Sequence, residues 1–114
     1  MVLIVGGMAQ GKLDFARREL GVKAWSDGEL GAEDCVYGLQ RVVRALAEPW
    51  ESVREWCRAH PDGVLICDEV GCGVTPLDRE ERIWREQVGR VCCQLAAVCG
   101  SVYRVNCGLG VRIK

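Results

Sequence analysis

No stretch of this 114-residue sequence is long and apolar enough to cross a bilayer or to form the core of a signal peptide. The apolar run at residues 1–5 stops at Gly6 and Gly7 instead of a cleavage site. The protein is therefore expected in the cytoplasm, away from membranes. Charge of one sign is not in excess either: the formal net charge is -1, which gives no general field for gripping nucleic acid. Histidine is nearly absent, with His60 alone, and no C-x-x-C pair occurs. His60 does not stand at finger spacing from any cysteine pair, so the sequence lacks a zinc-site pattern. Repeats and linkers are missing as well, and the length fits one domain, residues 1–114.

Cysteine is what the chain has in plenty: Cys35, Cys57, Cys67, Cys72, Cys92, Cys93, Cys99 and Cys107. With no export signal, a disulfide framework is not expected. Most of these residues replace apolar ones on apolar faces, so they read as reduced thiols acting as small hydrophobes, without metal.

Strand and helix patterns alternate along the chain. Residues 1–5 and 63–67 are short continuous apolar runs ending in Gly6-Gly7 and Asp68-Glu69, as buried parallel strands do. Residues 12–20 form a helix pattern stopped by Gly21. Residues 22–34 read as a glycine- and acid-rich loop holding a short strand near 22–25. A second helix is expected over 33–47, with Val36, Leu39, Val43 and Leu46 on one face. A third starts at Pro49 and ends near His60. After a glycine-bearing loop at 70–75, Thr75 is expected to cap a long helix from 77 to 98. Residues 101–107 make a last strand, followed by a short apolar tail. This order predicts an α/β, P-loop NTPase-like three-layer fold, a mostly parallel sheet flanked by helices.

Gly6-Gly7-Met8-Ala9-Gln10-Gly11-Lys12 matches G-x-x-x-x-G-K, and it lies where that motif must, between an apolar strand and a helix. The glycines let backbone N–H groups turn onto phosphate oxygens, and the lysine ammonium reaches the outer phosphates. A plain glycine-rich turn is the structural alternative. The next residue should carry a hydroxyl for Mg²⁺, and here it is Leu13. Residues 6–13 are thus the candidate nucleotide site, taking ATP or GTP. Asp68, at the end of an apolar strand, is the candidate holder of the Mg²⁺ water shell, and Glu69 the candidate for orienting a nucleophile. An acid pair ending a strand beside solvent is the bland reading of both. His60 reads as a surface residue at a helix end. The charged face at 78–90 reads as solvated, with Arg82 and Arg85 able to face an anionic ligand, and the tryptophans at 50, 56 and 84 as packing.

From Asp68 onward the sequence resembles a known family. Glu69-Val-Gly-Cys-Gly-Val-Thr-Pro76, then Arg82, Trp84-Arg85, Gly89-Arg90, Leu95-Ala96, Tyr103 and Gly108-Leu-Gly-Val-Arg-Ile-Lys114 are similar to the adenosylcobinamide kinase/adenosylcobinamide-phosphate guanylyltransferase family. Its members carry N-E-V-G-x-G-I-V-P, R-x-F-R-D and G-L-P-x-x-x-K patterns, and a G-G-x-x-S-G-K-S start that residues 6–12 match apart from Gln10, with Leu13 in place of the last serine. The resemblance implies a cobinamide-linked nucleotide-binding fold and kinase activity, with Lys12 and Glu69 as its catalytic residues, adenosylcobinamide as acceptor, and a homo-oligomer. The chain departs from the family in three further places. Nothing between Gly21 and Asp62 resembles the H-R-x-x-R-P segment whose histidine takes the guanylyl group, Asp68 replaces an Asn, and Cys92-Cys93 replace Asn-Gln. Guanylyl transfer is therefore not expected. A degenerate, non-catalytic P-loop subunit with a regulatory or assembly role is the second reading, and a small-molecule kinase unconnected to corrinoids the third.

Overall fold

The computed structural model describes residues 1–70 and 78–114. Its centre is β1 (Val2–Gly6), hydrogen-bonded in parallel to β4 (Val64–Asp68) on one side and β5 (Ser101–Asn106) on the other. Beyond β4 lie β3 (Cys35–Tyr37) and β2 (Ser26–Asp27), also parallel. Beyond β5 lies β6 (Leu109–Arg112), the one antiparallel neighbour in the order β2-β3-β4-β1-β5-β6.

The period-two alternation of the strands sorts the apolar residues onto two faces. Leu3, Val36, Leu65, Cys67 and Val102 face one way, against α2 (Leu39–Ala45), α3 (Pro49–Ala59) and α4 (Arg79–Val98). Ile4, Cys35, Val64, Ile66 and Val105 face the other way, against Phe15 and Ala16 of α1 (Lys12–Leu20). Helices on both faces of a mostly parallel sheet give the three-layer α/β fold expected from the alternating pattern.

Four expectations need correcting. The 33–47 helix is a strand, a turn and a shorter helix: Cys35–Tyr37 pair with β4, Gly38 takes a left-handed conformation (φ 74°), and α2 begins only at Leu39. The tail after residue 107 is the strand β6, folded back by a turn in which Cys107 and Gly108 both have positive φ, 52° and 76°. Two successive left-handed residues are the geometry of a tight hairpin turn. The long helix starts at Arg79, and its cap is Asp78, whose carboxylate accepts from the N–H groups of Glu80 (2.7 Å) and Glu81 (3.4 Å). The glycine-bearing loop and the expected Thr75 cap lie outside the described residues. The strand expected near 22–25 falls at Ser26–Asp27.

Candidate functional site

The segment from Gly6 to Lys12 runs from the C-terminal end of β1 into the first residue of α1. Ala9 (φ 58°) and Gly11 (φ 85°) are left-handed, which reverses the chain sharply at the helix N-terminus. Gly6 is required by proximity: a Cβ there would lie 2.4 Å from the Val105 carbonyl oxygen of β5. Gln10 anchors the loop sideways. Its side-chain Oε1 accepts from the N–H of Cys107 (2.8 Å), and its carbonyl accepts from the N–H of Gly108 (2.7 Å). The Arg18 guanidinium donates to the Gly108 carbonyl from α1 (3.0 Å), so the β5–β6 turn is held against the loop from two sides. Met8 projects into solvent, 78% exposed.

Lys12 is buried, and its Nζ donates to the Gly7 carbonyl (2.6 Å) and pairs with Asp68 Oδ1 (2.7 Å). The sheet register makes this contact, since Gly6 and Asp68 are partners across β1 and β4. The other Asp68 oxygen, Oδ2, accepts from Gln40 Nε2 of α2 (3.2 Å), and the Asp68 N–H donates to Gln40 Oε1 (3.1 Å). Glu69 continues the ladder through its N–H to the Gly6 carbonyl (2.8 Å), and its carboxylate meets the Arg104 guanidinium of β5 at 3.1 Å. Leu13 is half-buried and packs against the apolar cluster between α1 and the sheet.

Beside Asp68 opens a cavity of about 450 Å³ between α2 and α4, bordered by Met8, Gln40, Arg44, Glu69 and Trp84 among others. Trp84 does more there than fill space. Its indole N–H donates to the Gln40 carbonyl (2.8 Å), and its ring lies 3.9 Å from the Arg44 guanidinium, which also pairs with Glu81 (2.7 Å). Arg85 borders the same cavity. The structure therefore brings together residues 6–12, Asp68 and Glu69, and adds Gln40, Arg104, Trp84 and Arg44. No sequence signal marks Gln40, because its partner is 28 positions away and its neighbours read simply as helix.

His60 stands elsewhere. It precedes β4, at the end of the sheet opposite Lys12, with its ring stacked on Trp56 (centroids 4.2 Å apart). Its nitrogens face the carbonyls of Trp56 (2.9 Å) and Ala32 (3.2 Å). That is a structural setting, closing the turn between α3 and β4.

The seven described cysteines are free thiols. Burial pushes Cys35 up to about 11, and burial with the neighbouring Cys99 does the same for Cys57. The Cys67 thiol donates to the Asp68 carbonyl (3.4 Å); the adjacent Cys92 thiol and burial push Cys67 up, while Cys67 shifts Cys92 down. Among the described residues, no three His, Cys, Asp or Glu side chains gather to hold a metal ion, and no helix is long and apolar enough to cross a membrane.

A family model described as cobinamide kinase / cobinamide phosphate guanyltransferase matches residues 24–113. The chain belongs to that family. Among curated relatives, the bifunctional adenosylcobalamin biosynthesis protein CobU of Escherichia coli (strain K12) is 38% identical over 76 residues, 66% of this chain and 42% of the relative. The protein of the same name from Salmonella typhimurium (strain LT2) is 45% identical over 51 residues, 45% of this chain and 28% of the relative. The aligned part of this chain thus spans less than half the length of either CobU protein. The family is described by two activities, cobinamide kinase and cobinamide phosphate guanyltransferase, and both curated relatives are named for adenosylcobalamin biosynthesis. The family match begins beyond α1, so the case for the 6–12 loop as a phosphate site stands on its own sequence and geometry.

Proposed function

We propose that the chain binds ATP or GTP through residues 6–13 and transfers the γ-phosphoryl group to the hydroxyl of a cobinamide, as an adenosylcobinamide kinase. The observation that carries this reading is the buried Lys12 ammonium, set at the start of α1 and 2.7 Å from Asp68. The helix N-terminus would add its partial positive charge, and a loop turned by left-handed Ala9 and Gly11 has the kind of backbone that can present N–H groups to an anion. Triphosphate oxygens would take over the Lys12 bonds now made to Gly7 and Asp68. The acceptor would enter the cavity beside Met8 and Trp84, with its hydroxyl near Glu69. The hydroxyl oxygen then bonds to the γ-phosphorus as the bond to the bridging oxygen breaks, the nucleoside diphosphate leaves, and the hydroxyl proton passes to Glu69 or solvent.

Magnesium fits this residue set in one form only. It is commonly held by one or two carboxylates plus substrate phosphates, and Asp68 offers a single carboxylate oxygen beside the loop. When bound, it neutralises charge developing on the β- and γ-phosphates. Asp68 would orient its water shell, and Leu13 supplies no ligand.

Leu13 is also what favours a second reading, a subunit that binds nucleotide without transferring phosphate. Incubating the protein with Mg²⁺, labelled ATP or GTP and adenosylcobinamide decides between them. Phosphorylated cobinamide supports the kinase, and nucleotide binding without product supports the second reading. We also infer a cytoplasmic homo-oligomer. The exposed Leu109, Val111 and Ile113 support self-association, and sedimentation equilibrium tests it.

A further inference from the structure

We propose that Gln40 is the positioning residue of Asp68, gripping it so that Lys12 can leave for the phosphates while the carboxylate stays behind. The inference rests on the nucleotide-binding reading of residues 6–13 and adds to it a residue outside both the loop and the acid pair.

The geometry is reciprocal. Gln40 uses both ends of one carboxamide on one residue: Nε2 donates to Asp68 Oδ2 (3.2 Å), and Oε1 accepts from the Asp68 backbone N–H (3.1 Å). Only this orientation of the amide satisfies both contacts, because the reverse would set donor against donor and acceptor against acceptor. Holding backbone and side chain together fixes the Asp68 rotamer and leaves Oδ1 as the oxygen turned to Lys12. Gln40 is itself fixed. It is the second residue of α2, and its carbonyl receives the Trp84 indole N–H (2.8 Å).

Without that grip, Lys12 and Asp68 form a simple ion pair. A flexible carboxylate would follow the departing ammonium and go on neutralising it beside the triphosphate. With Oδ2 and the N–H both held by Gln40, Asp68 cannot swing with Lys12. The cation becomes available to the phosphates, and Oδ1 is left pointing at the space the ammonium vacated, where it can accept from metal-bound water. Gln40 thus separates two charges that would otherwise move as one.

Gln40→Met keeps the length of the side chain and removes both hydrogen bonds, while the backbone bond to Trp84 remains. Two measurements test the inference. The first needs no nucleotide: amide hydrogen exchange by NMR should show the Asp68 N–H at least tenfold less protected in Gln40→Met, with the amides of Leu65 and Ile66 unchanged. The second titrates Mg²⁺ against turnover and against nucleotide binding by calorimetry. The variant should need at least threefold more Mg²⁺ for half-maximal turnover and lose kcat, with its nucleotide KM within threefold and metal-free ATP affinity no higher than wild type. Gln40→Glu, which sets a second carboxylate against Oδ2, should show the same defect more strongly.

Unchanged Asp68 exchange in Gln40→Met overturns the grip. Lost protection with wild-type Mg²⁺ dependence in both variants overturns its role. If wild-type protein binds neither ATP nor GTP with Mg²⁺, the proposed function fails instead, and the exchange measurement alone decides whether Gln40 holds Asp68.

Discussion

The Lys12 ammonium and the Asp68 carboxylate meet at 2.7 Å in a site where the lysine side chain is only 3% exposed and the aspartate 21%. An incoming triphosphate must therefore compete with a carboxylate for the same cation. Lys12→Ala removes that cation and should weaken ATP or GTP binding more than tenfold, about 1.4 kcal/mol. Calorimetry on a variant shown to be folded by circular dichroism checks it. Undiminished binding would remove the basis for reading residues 6–12 as a phosphate loop.

Asp68→Asn tests the competition from the other side. The neutral side chain no longer holds Lys12, so metal-free ATP should bind several-fold more tightly than to wild type. The gain in affinity that Mg²⁺ confers on wild type should shrink in the variant, because one anionic oxygen for its water shell is gone. Parallel titrations with EDTA and with Mg²⁺ read both effects. A variant that binds less tightly without metal would contradict the account of the pair.

Leu13→Ser has two effects that oppose one another in a simple assay. Restoring a hydroxyl after the lysine should lower the Mg²⁺ concentration for half-maximal turnover and speed phosphoryl transfer. Leu13 also packs against the α1-side core, so the change should cost about 1–2 kcal/mol of stability, less than a fully buried leucine would. Turnover against Mg²⁺ at 20 °C, with urea melts alongside, separates the two. Fast wild-type turnover unaffected by the serine would mean that the metal is anchored by Asp68 alone.

Glycine substitutions should go in opposite directions at two positions. Gly6→Ala drives a Cβ to 2.4 Å from the backbone oxygen of Val105, which cannot rotate away, so a loss of about 1–3 kcal/mol is expected. Gly89 lies inside α4 with nothing within 4 Å of an added Cβ, so Gly89→Ala should stabilise by about 0.5–1 kcal/mol. Urea midpoints of the two variants give the signs directly.

The thiols should respond to pH and to alkylation in a definite order. Cys35 and Cys57 ionise near 11 in the folded chain against an ordinary 9.0, so the unfolded chain loses their protons first. Their contribution to stability is intact below pH 9 and is lost as pH rises from 9 to 11. The melting temperature should fall across that window, and less so in Cys57→Ala. At pH 7.5 iodoacetamide should modify the exposed Cys93 and Cys107 first, leaving the buried Cys35, Cys57, Cys67 and Cys99 unmodified until the protein unfolds. Mass spectrometry of a time course shows the order.

The elements with strong local signals were legible, and those fixed by partners far along the chain were not. Residues 12–20 carry a helical pattern bounded by Gly11 and Gly21, and α1 has those limits. Val36, Leu39 and Val43 also stand at helical spacing, yet Val36 belongs to β3, a strand too short to show alternation and held by β4. Cys107-Gly108 is a hairpin turn without the Asn or Asp that usually announces one, so β6 passed for a tail. At the site, the motif named the loop, Asp68 and Glu69, and their positions do converge. Gln40 and Arg104 escaped notice because each earns its place only through a partner at least 28 positions distant.

The tie between Gln10 and the Cys107–Gly108 turn spans 97 residues, and it sets a timetable. During synthesis the tenth residue leaves the ribosome long before the residues that will fasten it. β1 waits too, since its β4 and β5 neighbours begin at residues 64 and 101. The nascent chain must therefore carry an apolar central strand and an unfastened loop until residues 101–108 have been made. Closing such sequence-distant contacts is slow, so this stretch is the last to be secured.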